Sequence, residues 1–108
     1  MASDTGLLHM VYFWMREDGE PGDADKLAAG CKKHLRSIPG VLWLEVGFPA
    51  VKTRDVVDDS YGVALLMEFN DNDAQEKYQV HPDHLKFIAE CRHLWSRVQV
   101  YDTVVSQS

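Results

Sequence analysis

The sequence has few cysteines, few basic residues and no long apolar run, and each of these scarcities excludes a class of protein. Cys31 and Cys91 are its only cysteines, too few for a disulfide-rich scaffold, so we expect two reduced, buried thiols. Eleven basic residues stand against seventeen acidic ones, a net charge of −6, which disfavours nucleic acid and anionic membranes as partners. No stretch approaches the roughly 20 apolar residues that a membrane-spanning helix needs.

The first residues, MASDTG, lack the basic and apolar regions of a secretory signal, so we expect a cytoplasmic protein. With 108 residues, 45% of them hydrophobic and 26% charged, the chain fits one globular domain. We place that domain at residues 7–105. No internal repeat or low-complexity segment interrupts it.

Apolar runs of strand length alternate with segments of helical spacing. The predicted elements are strands at 7–15, 41–48, 61–69 and 97–105, and helices at 24–37, 70–80 and 82 to about 95. Asp23 is expected to cap the first helix and Pro39-Gly40 to end it, while Val51–Ser60 is expected to be a charged loop. The order β-α-β-β-α-β predicts a ferredoxin-like α+β fold, in which helices cover one face of an antiparallel sheet.

The first two predicted strands are apolar on both faces, although helices can cover only one of them. In the first strand, Met10, Tyr12 and Trp14 lie opposite the side chains expected to face the helices. In the second, we place Val41 and Trp43 on one face and the following residues on the other: Leu42, Leu44, Val46 and Phe48. Because so much exposed apolar surface would promote aggregation, we predict a homodimer that packs sheet against sheet. Strand propensity alone is the alternative explanation.

The segment YQVHPDHLKFI, at residues 78–88, reads first as a helix that is broken and restarted. Proline favours the first helical position and forces the preceding residue out of the α region. His81 is therefore expected at the cap, with Asp83 in the first turn. His84 begins the apolar stripe of the new helix and should point inward.

Three polar side chains are predicted to converge between helices and sheet: His9, Tyr78 and His84. With Phe13, Phe87 and Ile88 they would line a small apolar pocket with polar ends. Partial burial and the helix start would keep His84 neutral, as a general base requires, and Tyr78 would donate a hydrogen bond to a carbonyl oxygen. The alternative is that all three are ordinary core or cap residues.

A built-in metal or other cofactor is not expected. His81 and His84 are three residues apart, but Pro82 turns them to different faces, which disfavours a shared ion. His34 and His93 have charged neighbours and are interpreted as facing solvent. Residues 52–60 are either an inter-subunit arm or a solvated loop.

The segments HMVYFWM, IPGVLWLEVG, YxxHPxH (Tyr78, His81, Pro82, His84) and VQVYDTV, in this order, resemble the stress-responsive dimeric α/β-barrel (Dabb) family, and its uncharacterised bacterial members most. The resemblance runs from about His9 to Val104. It implies a ferredoxin-like fold whose sheets pair into a barrel.

A more distant plant branch, similar to olivetolic acid cyclase, cyclises linear polyketides. The resemblance to that branch implies catalytic roles for Tyr78 and His84 and a pocket role for His9. The charged insertion KTRDVVDD differs from the branch, and Val63 or a neighbour stands where its third strand has a histidine. Two hypotheses follow: a dimeric barrel of undetermined role that binds a small apolar molecule, or a cofactor-free acid–base enzyme acting on a carbonyl compound.

Overall fold

The computed structural model describes residues 6–106, so most of the MASDTG segment and the absence of a signal predicted from it lie outside the described residues. The elements in this range are β1 (Leu7–Met15), α1 (Asp23–Leu35), β2 (Val41–Gly47), β3 (Val63–Phe69), α2 (Asn72–Val80), α3 (Pro82–Cys91), a short 3₁₀ helix (Arg92–Leu94) and β4 (Trp95–Val104). The predicted β-α-β-β-α-β order is confirmed, with the second helical region divided at His81.

The four strands form one antiparallel sheet in the order β2-β3-β1-β4, which confirms the ferredoxin-like α+β fold. Alternate residues of β1 face the helices because side chains alternate along a strand: Leu7, Val11 and Phe13 are buried on that side. Opposite them, β3 buries Val63, Leu65, Met67 and Phe69, and α1 adds Leu27, Cys31 and Leu35 to the same core.

The predicted faces of β2 are wrong at its start, because the strand contains a β-bulge. Val41 pairs with Phe69 while Trp43 pairs with Glu68, so Leu42 has no partner of its own. The extra residue shifts the alternation by one position. Val41 therefore packs on the core with Leu44 and Val46, whereas Leu42 is 50% exposed.

The first helix also begins differently from the prediction. Gly22 is the N-cap residue and makes no side-chain capping bond. Asp23 is the first helical residue instead, and its carboxylate accepts a hydrogen bond of 2.9 Å from the backbone N–H of Glu20. The Asp23 carboxylate thus closes the turn before the helix. It also lies in the first helical turn, where its negative charge interacts favourably with the helix dipole.

Other boundaries differ by a few residues. β3 begins at Val63 rather than Tyr61, and α2 begins at Asn72 because Asp71 accepts from the N–H of Ala74 and caps it. The third helix ends at Cys91, since Trp95 already pairs with Met15 and starts β4.

The interpretation of His34 as a solvent-facing residue is wrong. His34 is 8% exposed, and its Nε2 lies 3.2 Å from a carboxylate oxygen of Glu90. It lies three residues after Cys31 on the side of α1 that packs against α3, which is why it is covered. His93 is exposed, as predicted.

The face of the sheet away from the helices, the outer face, carries Met10, Tyr12 and Trp14, all half-buried. The ring of Tyr12 contacts those of Tyr61 and Tyr101, at centroid distances of 5.0 and 6.1 Å. The indole N–H of Trp14 donates to the hydroxyl of Ser60 at 3.0 Å. This bond ties the end of the charged loop to the outer face.

Candidate functional site

The break between α2 and α3 is built around one residue, His81. Its extended backbone (φ −65°, ψ 140°) ends α2, and its N–H donates to the carbonyl oxygen of Tyr78. Its Nδ1 accepts a 3.0 Å hydrogen bond from the N–H of Asp83, so the same residue caps α3. The predicted cap role of His81 is confirmed. The capping role explains the presence of His81, Pro82 and Asp83 without assigning any of them a catalytic role.

Tyr78 and His84, on either side of this break, face a cavity of about 180 Å³ between the helices and the sheet. We call it the His84 cavity. Its wall consists of His9, Val11, Phe13, Leu65, Tyr78, Gln79, His84, Phe87, Ile88, Trp95, Val98 and Val100. The structure therefore brings together all six side chains for which the sequence predicts a shared pocket: His9, Phe13, Tyr78, His84, Phe87 and Ile88.

His84 is half-buried, and its Nδ1 is buried with no hydrogen-bond partner among the described residues. Burial lowers the pKa of His84 below its ordinary value of 6.5; the backbone carbonyl of Gln79 opposes this shift, and the charge of His9 adds to it. The imidazole is therefore neutral at pH 7. A neutral imidazole keeps one ring nitrogen with a free lone pair, as a general base requires.

Tyr78 lies between the two histidines and is 1% exposed. Its ring centroid is 4.7 Å from that of His84 and 5.8 Å from that of His9. Burial, reinforced by the nearby Cys31, raises the pKa of the phenol well above 10.0. The hydroxyl is therefore a neutral O–H donor at pH 7.

Asp102 is a site residue that the sequence analysis missed. Its Oδ1 lies 2.5 Å from Nδ1 of His9, and the two residues are directly paired across β1 and β4. His9 is 3% exposed, whereas the Asp102 side chain is 40% exposed. Because the acid accepts from Nδ1–H, the other ring nitrogen of His9 is directed away from it. The signal was present: Asp102 interrupts the alternating valines of VQVYDTV.

Six further wall residues were also absent from the predicted pocket, among them Trp95, Val98 and Val100. Trp95 completes an aromatic wall, with its ring 4.8 Å from Phe13 and 5.9 Å from Phe87 between centroids. Val98 and Val100 lie on the helix side of the edge strand β4, opposite Phe13 and Val11, and are 44% and 39% exposed. The cavity is therefore open towards β4.

A wider cleft of about 500 Å³ lies at the other end of α2 and includes His81 and Lys77. Its charges are satisfied within the chain, since Lys77 pairs with Asp73 at 3.2 Å and the ring of His81 caps α3. The His84 cavity differs because one of its wall residues, His84, has a buried ring nitrogen without a partner. That difference makes the smaller cavity the candidate site.

Across residues 6–106, no group of three or more His, Cys, Asp or Glu is arranged to hold a metal ion. In the same range no helix combines the length and apolar composition needed to cross a bilayer. A neutral base and a neutral O–H donor at one apolar cavity can remove a proton next to a carbonyl group and bind the oxygen on which charge develops.

The family model described as "Stress responsive A/B Barrel Domain" (Dabb) matches residues 7–105. A comparison with curated proteins finds no match. Among solved structures, a Dabb-family protein with a ferredoxin-like fold from Mesorhizobium loti is 23% identical, with a TM-score of 0.76, over 94% of this chain and 98% of that one.

A dimeric ferredoxin-like protein of unknown function from Thermobifida fusca is 18% identical, with a TM-score of 0.76, and the alignment covers 94% of this chain and 92% of that chain. A hydroxynitrile lyase from Passiflora edulis is 17% identical, with a TM-score of 0.78 and 97% of both chains covered. At these identities the likeness concerns the fold.

Proposed function

We propose that this chain, which belongs to the stress-responsive A/B barrel (Dabb) family, is a cofactor-free acid–base enzyme that acts on a carbonyl compound through Tyr78 and His84. The observation that carries the proposal is the buried, unpartnered Nδ1 of His84, whose ring lines one cavity together with Tyr78. A buried polar atom without a partner is unfavourable for folding and calls for an explanation.

In the proposed reaction His84 is the general base. A ring nitrogen of its neutral imidazole takes a proton from the carbon next to the substrate carbonyl. The C–H electron pair forms the C=C bond of the enolate, and the π pair of the carbonyl moves to its oxygen. Tyr78 donates its O–H to that oxygen and stabilises the enolate. The enolate carbon can then attack a second carbonyl carbon, as in an aldol cyclisation, and His84 gives its proton to the alkoxide oxygen that forms. Low polarity around both groups strengthens these interactions.

A fold relative that is named as a lyase supports the proposal that this chain is an enzyme. The Passiflora edulis protein is a hydroxynitrile lyase, so the same fold accommodates an enzyme in at least one case. The alternative, a barrel that binds a small apolar molecule without reaction, is favoured by the mostly apolar wall. The polar side chains of His84 and Tyr78 in the same wall favour the enzyme, because a purely apolar ligand would form a hydrogen bond with neither.

The test is ligand-detected NMR against a panel of small ketones and β-keto compounds, with wild type, His84→Ala and Tyr78→Phe. We expect binding in wild type that both variants weaken. His93→Ala is the matched control, because His93 is exposed and outside the cavity. Unchanged binding in both site variants would refute their assigned roles.

We also propose that the active form is a homodimer that pairs the outer faces of two sheets. Support comes from the half-buried Met10, Tyr12 and Trp14 on a face that no helix of the described chain covers, and from dimeric fold relatives. Light scattering should give twice the chain mass, and Tyr101→Asp should lower it. Leu85→Asp is the control, since Leu85 on α3 is 56% exposed and Tyr101 59%. A monomer mass at micromolar concentration would refute the dimer.

A further inference from the structure

We propose that the substrate of this site is a small, uncharged aromatic ketone or aldehyde that carries a hydrogen on the carbon next to its carbonyl group. The inference rests on the proposed acid–base function and specifies the substrate class of the same site. Three features of the His84 cavity carry it: the absence of a cation in its wall, its aromatic surface, and its size and opening.

The described cavity wall contains no lysine or arginine, and its polar side chains are His9, Tyr78, Gln79 and His84. Any positive charge on His9 is already offset by Asp102 at 2.5 Å. A carboxylate or phosphate in this cavity would therefore lose its water without gaining a cationic partner, which is strongly unfavourable. The cavity selects against anions.

The aromatic wall favours a flat ring. Phe87 and Trp95 are nearly parallel, with an interplanar angle of 28°, while Phe13 meets Phe87 at 70°. The wall thus combines rings in stacked and edge-on arrangements around one space. A planar aromatic ligand can make both kinds of contact, and a saturated ring of the same size cannot.

The size and opening of the cavity limit the ligand further. A volume of about 180 Å³ is below the roughly 300–1,000 Å³ of sites for drug-sized molecules. The open side passes Val98 and Val100 on β4, and Asp102 follows on the same strand face. The negative charge of Asp102, whose side chain is 40% exposed, repels an anionic ligand that approaches from this side, whereas a small neutral carbonyl compound is not repelled.

The experiment compares three ligands with equal numbers of heavy atoms: acetophenone, cyclohexyl methyl ketone and benzoate. Their dissociation constants are measured by NMR titration at pH 7.5 with wild type. We expect acetophenone to bind roughly two- to tenfold tighter than cyclohexyl methyl ketone, and benzoate to show no binding over the same concentrations. Equal binding of acetophenone and benzoate, or of the two ketones, would overturn the proposal.

A gain-of-binding variant tests the charge argument independently. Val100→Lys places a cation at the opening, and we expect benzoate to bind this variant at least tenfold more tightly than wild type. Val104→Lys is the control, since Val104 lies on the same face of β4 but outside the cavity wall and is 66% exposed. Benzoate affinity unchanged in Val100→Lys, or raised equally in both variants, would contradict the assignment.

The two proposals fail in different ways. If His84→Ala and Tyr78→Phe weaken ketone binding but the three ligands bind wild type alike, the substrate class is wrong and the acid–base site stands. If acetophenone is preferred but neither site variant changes its binding, the proposed function is wrong.

Discussion

Replacing His84 with leucine is expected to stabilise the protein while removing the group to which proton abstraction is assigned. The reason is the Nδ1 atom of His84, which is buried without a hydrogen-bond partner in the described range. Leucine has a similar volume and no polar side-chain atom, so it fills the same position beside Tyr78 without leaving a buried polar atom unpaired. Active sites commonly sacrifice stability in this way.

The magnitude follows from two opposing contributions. A buried polar atom without a partner costs about 1–3 kcal/mol, and because His84 is only half-buried we take the lower half of that range. The lost ring contact with Tyr78, at 4.7 Å between centroids, offsets about 0.5 kcal/mol. The free energy of unfolding should therefore rise by about 1 kcal/mol.

Urea unfolding at pH 7.5, followed by tryptophan fluorescence at fixed protein concentration, measures the change. With a slope of about 1–3 kcal/mol per molar urea, the midpoint should rise by roughly 0.3–1 M. His34→Leu is the matched control, because His34 is buried but paired with Glu90, so its loss should lower stability by about 0.5–1 kcal/mol. A His84→Leu variant less stable than wild type would show that His84 has a structural role, and would refute the reasoning.

Three further predictions concern packing and pH. A Cβ on Gly30 would lie 2.6 Å from Sγ of Cys91, so Gly30→Ala should lower the free energy of unfolding by about 1–2 kcal/mol but raise it slightly in a Cys91→Ala background; equal effects in both backgrounds would contradict this. Because the pKa of His84 is lowered on folding, the unfolded chain is protonated first, and the free energy of unfolding should fall as the pH decreases below 6.5. His84→Leu should flatten this part of the urea-midpoint profile, and an unchanged acid slope would refute the assignment. Burial raises the pKa of Cys31 from 9.0 to about 12 and that of Tyr78 above 10.0, so stability should fall as the pH rises above about 9, where the unfolded chain ionises first. Cys31→Ala should show a shallower decline between pH 9 and 10, and an identical profile would contradict the cause.

The fold follows from the sequence because its signals are local and periodic. Alternation in LLHMVYFWM and the helical spacing of Leu27, Cys31 and Leu35 depend on neighbours along the chain, and the order of elements allows few topologies. The faces at the start of β2 could not be predicted, because the bulge at Leu42 is set by pairing with β3.

Only part of the candidate site could be predicted from the sequence. Tyr78 and His84 are brought together by the local helix break at His81, which Pro82 predicts. Asp102 is 93 residues from His9, and their contact depends on the register between β1 and β4. Sequence spacing does not specify that register. His34 was misassigned for the same reason, since its burial depends on how α1 packs against α3.

Deuterium exchange measures the proton abstraction that we assign to His84, next to the carbonyl group of a bound ligand. Acetophenone is incubated with the protein in D₂O, and loss of its methyl proton signal is followed by NMR. We expect exchange faster than in buffer alone, abolished in His84→Leu, slowed in Tyr78→Phe and unchanged in His93→Ala. Exchange no faster than in buffer with bound acetophenone, or exchange that survives in His84→Leu, would contradict this assignment.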